Sequence, residues 1–355
     1  MKFEEFFKSF VEFAAVCPAE ELREGAKYVF LSDLHLGNGG GRDDLRRNRA
    51  LVLETLAMWY AERDYTLVLN GDIEDLNKFR LMDIVRAWPG FFGILDDFAS
   101  RGRLRKIVGN HDLDLVRERG YPYALSHGLL LTRGDKRIFA FHGHQASRFF
   151  VDYDYVSRFI VRYVAKPLKI RNSSVSEDSR HRFKTERRIY RASRKLGILS
   201  ITGHTHRPLF ESLSKYESVR WSAEEAIREY ASADGPRREE ISSIVAEYKA
   251  ELGRLSDEGL RDNLARSLYE DRDFLIPCLF NSGCATGRNG YTAIEIIGDS
   301  IELVHWGDAD KCRRYMGREA IERDRLEGFA WTRQVLRRSR LDDVFARVEL
   351  LGRLS

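Results

Sequence analysis

The sequence predicts an α/β fold with a largely buried central sheet. Two observations predict it. Short apolar runs of β-type residues alternate with longer stretches of helical periodicity. Several of those runs end in Gly, Asp, Asn or His, the residues found where a strand gives way to a loop carrying polar chemistry. At 355 residues and 43% hydrophobic content the chain can bury a substantial core, as one large domain or two smaller ones.

The elements follow in order. Residues 1–26 open with "MKFEEFFKSFVEFAAV", apolar on one helical face and acidic on the other, and read as an N-terminal helix. "KYVFLSD" (27–33) is the first strand of the core, followed by a helical pattern from Asp43 to Arg63. "YTLVLNGD" (65–72) is the second, with more helix to about Ser100, and "LRKIVGNHD" (104–112) is the third. "GLLLTRG" and "KRIFAFHGH" form a hairpin over 128–144, joined by a Gly-Asp turn. Residues 148–197 are helical, basic and aromatic, interrupted by Pro167 and by "NSSVSEDS". "GILSITGHTHRPLF" returns to strand. Residues 215–272 alternate acids and bases with helical periodicity and read as a helical insertion, because strands resume at "FLIPCLFNSGC" (274–284). "GYTAIEIIG" and "SIELVHW" form a second hairpin (290–306), and residues 311–355 read as a basic helical tail.

Composition narrows the classes of function. The 59 basic and 55 acidic residues nearly cancel, so nothing demands a nucleic-acid partner. Four cysteines without a C-x-x-C pair do not make a disulfide scaffold; reduced thiols are the plainer reading. The N-terminus lacks the apolar core of a signal peptide, and no run of about 18 apolar residues occurs. The expectation is a cytoplasmic, soluble protein, with peripheral membrane contact left open.

Five strand ends carry groups able to bind a divalent ion: Asp33 and His35 in "SDLH", Asp72 in "NGD", Asn110 and His111 in "GNHD", His142 and His144 in "HGH", His204 and His206 in "GHTH". In a strand, residues i and i+2 point the same way, so Asp33 and His35, or His204 and His206, could face one ion. Each cluster alone is more often a turn or a cap. All five in series, each after a β-type run, point instead to a metal site. Imidazole with carboxylate and amide oxygen suits Mn, Fe, Zn, Ni or Co, and the lack of cysteine argues against structural zinc. The candidates exceed one tetrahedral set; seven ligands with one bridging carboxylate fit two ions about 3.5–4 Å apart.

The order D-x-H, G-D, G-N-H-D, H, G-H-x-H resembles that of the calcineurin-like metallophosphoesterases over residues 27 to 210, with "NSGC" (281–284) matching a later turn of that fold. The resemblance implies a four-layer αββα sandwich: two mixed sheets face to face, flanked by helices, here with helical insertions. It gives one domain over 27–310. It implies two divalent ions, Mn²⁺ foremost, with Fe, Zn, Ni and Co as alternatives. Asp33, His35, Asp72 and His206 would hold one, and Asp72, Asn110, His142 and His204 the other. It implies hydrolysis of a phosphate ester or pyrophosphate by a metal-bridging hydroxide, with His111 beside the scissile phosphate and Asp112 orienting His111. Asp75 either supports that group or is a helix N-terminal acid. His144 touches substrate or simply packs.

The substrate is less constrained. Residues 148–197 match in place and length the helical lid of UDP-2,3-diacylglucosamine diphosphatases, with Arg171 and Asn172 in the polar stretch "RNSS" and the alternative of a solvated helical pair. That branch has arginine where this chain has His111. A small-molecule or lipid-linked phosphate is therefore the expected substrate class. Nucleic acid is disfavoured; a nuclease and a non-catalytic scaffold of the same fold are the competing readings. Arg337, Arg338 and Arg340 read as phosphate-binding or as a solvated face.

Overall fold

A computed structural model describes residues 3–146, 179–262, 274–287, 290–308 and 320–353. Two β-sheets carry the fold. In the larger, eight strands run in the order β12-β13-β11-β10-β2-β3-β4-β5. Its centre is parallel: β2 (Lys27–Leu31), β3 (Thr66–Asn70), β4 (Leu104–Ile107) and β5 (Leu125–Ser126). The hairpin of β10 (Tyr291–Ile297) and β11 (Ser300–Asp308) adds antiparallel to β2. The smaller sheet orders β1 (Ala19–Glu21), β6 (Gly128–Arg133), β7 (Lys136–Phe141), β8 (Leu199–Thr202) and β9 (Leu279–Asn281), with β7, β8 and β9 parallel.

Strand alternation sets the layers. Along β2, Tyr28 and Phe30 join Val68, Ile294 and Ile296 in a core shared with Leu129, Leu131, Ile138 and Ala140 of the smaller sheet. The opposite face, Val29, Leu31, Leu67 and Leu69, packs on three helices. These are α2 (Arg49–Thr55), α3 (Leu81–Ala87) and α4 (Pro89–Ser100). They contribute Leu51, Val52, Ile84, Phe91 and Leu95. The outer face of the smaller sheet is covered by α1 (Phe3–Val16), whose phenylalanines recur at helical spacing. Phe10 and Phe13 meet Phe139 and Phe141 edge-on, at 5.1–6.0 Å between centroids. Such pairs add about 0.5–1.5 kcal/mol each beyond the area they bury. The result is helices, sheet, sheet, helices.

Of the stretch read as an insertion, the described residues 215–262 form a helical hairpin, α6 (Lys215–Tyr230) and α7 (Gly235–Asp262), after α5 (Ser179–Leu196). A Ser214–Glu217 capping box starts α6. Residues 147–178, which include Arg171, Asn172 and most of the segment read as a lid, lie outside the described residues.

Two expectations need correction. The N-terminal segment is more than a helix, because Ala19–Glu21 pairs parallel with β6. Among its described residues the tail is only partly helical: β12 (Glu322–Arg325) and β13 (Trp331–Arg340) extend the larger sheet, and α8 (Leu341–Arg353) is helix. The arginines singled out in the sequence are engaged rather than free. Arg337 donates to Ser218 at 2.7 Å, Arg338 to Glu302 and Glu322, and Arg340 to Asp299. A strand that carries Arg333, Arg337, Arg338 and Arg340, the first of them buried with Thr332, Val335 and Leu336, has too little apolar periodicity to stand out as a strand. No described helix is long and apolar enough to cross a membrane.

Candidate metal centre

The predicted strand-end residues gather where three parallel strands of each sheet end together: β2, β3 and β4 on one side, β7, β8 and β9 on the other. The presentation differs from a strand's. β2 ends at Leu31 and β8 at Thr202, so the D-x-H and G-H-x-H residues lie beyond them. Asp33 and His35 have φ of 54° and 51°, His204 and His206 of 65° and 56°, and Asp72 of 56°. Asp33 and His35 turn into one group of side chains, whereas His204 and His206 turn into two different ones, against the expectation that the latter pair faces one ion. Such left-handed conformations cost of order 1–3 kcal/mol each for non-glycine residues and persist where surroundings over-determine them. Five of the eight described non-glycine residues with positive φ are expected ligands, so the strain is concentrated here.

Two groups of side chains meet. In the first, His206 Nε2 lies 3.1 Å from Asp33 Oδ1 and 3.2 Å from His35 Nε2, and His35 Nε2 is 3.9 Å from Asp33 Oδ1. In the second, Asp72 Oδ2 lies 3.0 Å from His142 Nε2, and His204 completes a set whose ligand atoms are all within 4.8 Å. Asp72 stands with the second group; the first closes without it. A third set, His35, Asp75 and His111, shares His35 with the first.

The residues fit divalent ions. Asn110 Oδ1 and His204 Nε2 are buried with no hydrogen-bond partner. Asp33 Oδ1 and His142 Nε2 are buried near a charged neighbour but outside hydrogen-bond alignment. Unmade polar contacts of this kind cost about 1–3 kcal/mol apiece unless a ligand supplies them. The glycines allow the close approach: a Cβ on Gly109 would meet Asp72 Oδ1 at 2.1 Å, and one on Gly203 would meet Asp33 Oδ2 at 2.6 Å.

Charge in the pocket is strongly partitioned. Burial would raise Asp33 and Asp72, but the neighbouring histidines hold both carboxylates below their usual range, Asp72 furthest. Burial opposes the charge on His142, yet Asp72 and Asp33 lift it to about 9. His206 is lifted well above its usual value by Asp33 against the same burial. Burial takes His35 down to about 4 and His204 to about 3.

His111 is held differently from expectation. Asp112 does not orient it. Asp112 Oδ1 accepts from Gly109 N and its Oδ2 from Ile73 N at 2.8 Å, so it braces the two loops carrying Asn110 and Asp72. Asp75 holds the ring instead, Oδ1 to His111 Nδ1 at 2.9 Å, and with Asp72 it raises His111 despite burial. The His111 N–H donates to Asp72 Oδ1 at 2.8 Å. Beneath them, Lys106 pairs with Glu74 at 2.6 Å, both fully buried, and Tyr121 donates to Glu74 at 2.7 Å. A lysine within a β-type run gave no sign of this role. His144 is half-buried, with its ring 5.5 Å from that of His142 and 6.3 Å from that of His204.

No family model and no curated protein matches the chain. Solved structures similar to it include a predicted phosphoesterase from Streptococcus pneumoniae (13% identity, TM-score 0.29, covering 79% of this chain and 89% of the other). Another is YfcE, a phosphoesterase from E. coli (14%, TM-score 0.32, 78% and 91%). A third is a single mutant of Vps29 from Entamoeba histolytica (11%, TM-score 0.33, 81% and 94%). Likeness at this level bears on neither activity nor substrate.

Proposed function

We propose that this chain is a metal-dependent phosphoric ester hydrolase of the calcineurin-like kind, using two divalent ions. One observation carries the reading. Six of the seven expected ligands, far apart in sequence, fall into two buried Asp/His groups, and the seventh, Asn110, leaves a buried oxygen without a partner beside them. Asp33, His35 and His206 would hold one ion. Asp72, His142, His204 and Asn110 would hold the other, with Asp72 the candidate bridge. Such ions neutralise phosphoryl charge and bring the pKa of water towards neutrality when bound.

The chain's own residues supply the rest. Asp75 fixes the His111 tautomer and ring orientation through Nδ1. In the doubly protonated ring, which Asp75 and Asp72 favour, Nε2–H can give a proton to the leaving oxygen, or a hydrogen bond to a phosphoryl oxygen as charge builds. Asp112 keeps the G-N-H-D loop against the G-D loop, so that Asn110 and His111 move as one unit. Mn²⁺ as the resident metal, a nucleotide- or lipid-linked substrate and a role for His144 in contacting it belong to the same proposal.

The test is hydrolysis of an aryl phosphomonoester and an aryl phosphodiester with Mn²⁺, by wild type and Asp72→Asn. Turnover should appear with the metal, vanish with a chelator and be lost in the variant. Activity unaffected by the substitution would end the reading.

A further inference from the structure

We propose that Glu186, on the helix that returns from the 148–197 segment, is a positioning residue for the His204–His206 loop. The inference rests on the metal reading above and concerns what holds two of its ligands in place.

The loop needs an external hold. His204 and His206 are both left-handed, with Thr205 between them. Asp33 Oδ2 accepts from His204 N at 2.9 Å, which fixes the first histidine. The second is bracketed. On one side, Thr205 Oγ1 donates to Glu186 Oε1 at 2.7 Å. On the other, Arg207 Nε donates to the same oxygen at 3.3 Å, and its Nη2 bonds Glu186 Oε2. Glu186 thus grips the residues immediately before and after His206.

The chain of contacts continues to a third segment. Asn281 Nδ2 donates to Thr205 Oγ1 at 3.1 Å and to Gly203 O at 2.8 Å. Thr205 is therefore acceptor from β9 and donor to α5, using its hydroxyl in both senses. Glu186, Thr205 and Asn281 are all essentially inaccessible, so these bonds act where the local dielectric strengthens them. These bonds fix the residues on either side of the two histidines rather than the rings themselves; partners bonded directly to a ligand typically change metal affinity 10- to 100-fold, and about the lower end is expected here. The sequence places α5 next to the five-cluster pattern; the clamp joins it to that pattern.

The experiment compares four proteins: wild type, Thr205→Val, Thr205→Ser and the pair Glu186→Gln/Arg207→Met. The pair removes both buried charges together, so neither is stranded. Each is titrated with Co²⁺ by calorimetry and by visible absorption, and assayed on an aryl phosphate. Thr205→Val should bind Co²⁺ at about 10-fold lower affinity with a changed absorption band, and lose kcat while KM stays near wild type. Thr205→Ser, which keeps the hydroxyl, should restore all three, and the charge-free pair should fall between. Variants with wild-type Co²⁺ affinity, spectrum and kcat overturn the proposal even if their melting temperature falls, since Glu186 would then be a structural residue only. Wild type that binds no Co²⁺ and hydrolyses nothing removes the hydrolase reading and this proposal together.

Discussion

Two clusters of buried charge in this molecule are left in opposite states. One is the candidate metal centre. The other lies under β10, β11 and β13, where Arg333 meets Glu295 and Glu302. There every carboxylate oxygen has a donor. Glu295 Oε1 accepts from Tyr60 at 2.6 Å and Oε2 from Arg333 at 2.6 Å. Glu302 Oε2 accepts from Arg333 at 2.6 Å and Oε1 from Arg338 at 2.5 Å. Trp306 closes the network by donating to Tyr60 at 2.8 Å. At the candidate metal centre, by contrast, buried side-chain atoms on Asp33, Asn110, His142 and His204 make no hydrogen bond. Closure marks a group that holds the fold together; openness, combined with left-handed backbone, marks a group arranged for something else.

The sharpest way to break this comparison is Asp72→Asn. The amide keeps the oxygen that accepts from His111 N but removes the charge shared with His142. Phosphoesterase turnover should fall by about three orders of magnitude, equivalent to roughly 4 kcal/mol of transition-state stabilisation. The melting temperature should move by no more than about 3 °C. A large loss of stability with little loss of turnover would mean that the open cluster is the structural one.

The reverse experiment is Arg333→Met. It strands Glu295 and Glu302 in a dry environment, so stability should drop by about 3–5 kcal/mol in urea denaturation. Calorimetric affinity for Mn²⁺ should be unchanged. Adding Glu295→Gln and Glu302→Gln to the same protein should recover much of the loss, because the uncompensated charge is gone.

How far the sequence reveals each cluster is itself different. The candidate metal centre is legible because its residues are unusual at their positions: histidines, aspartates and glycines where apolar strands stop. The reason given for their convergence, side-chain alternation in a strand, is not the one the fold uses; β2, β3 and β8 give way to left-handed residues at Asp33, His35, Asp72, His204 and His206, and such backbone leaves little mark in residue type. The Arg333 network is illegible because "WTRQVLRRSR" reads as a basic helical tail until β11 is known to lie beside it. Asp75 and Asp112 show the same limit at closer range. Both flank the site in sequence, and only three-dimensional register decides that Asp75 reaches His111 while Asp112 turns to the backbone. Glu186 and Asn281 are further still from any local signal, since their partners are 19 and 76 residues away.

Metal addition tests the open cluster more gently. At a free Mn²⁺ concentration about 100-fold above its dissociation constant, wild type should gain about 2.7 kcal/mol. Asp72→Asn should gain distinctly less. Arg333→Met should gain the same increment as wild type from its lower baseline, because its lesion is remote from the ligands. Equal gains in all three would place Mn²⁺ outside the Asp72 group.

The smallest expected effect calibrates the comparison from outside both clusters. Lys215 on α6 reaches Glu251 on α7 at 2.6 Å, and Arg254 donates to the same carboxylate at 2.6 and 2.9 Å. Burial would raise Glu251, but the bonds from Arg254 and Lys215 outweigh it and hold it below its usual value. The sign follows: the pair's contribution is full above the ordinary glutamate range and is lost as pH falls through the lowered value. Arg254 is 41% exposed, so solvent screens the pair and its worth is about 0.5 kcal/mol. Glu251→Gln should therefore flatten the acid limb of stability between pH 5 and the acid transition by roughly that amount. It should leave both turnover and the Mn²⁺-dependent gain untouched. A larger acid effect at Glu251 than at Arg333→Met would mean that the α6–α7 hairpin, and not the closed network, is where buried charge holds this fold.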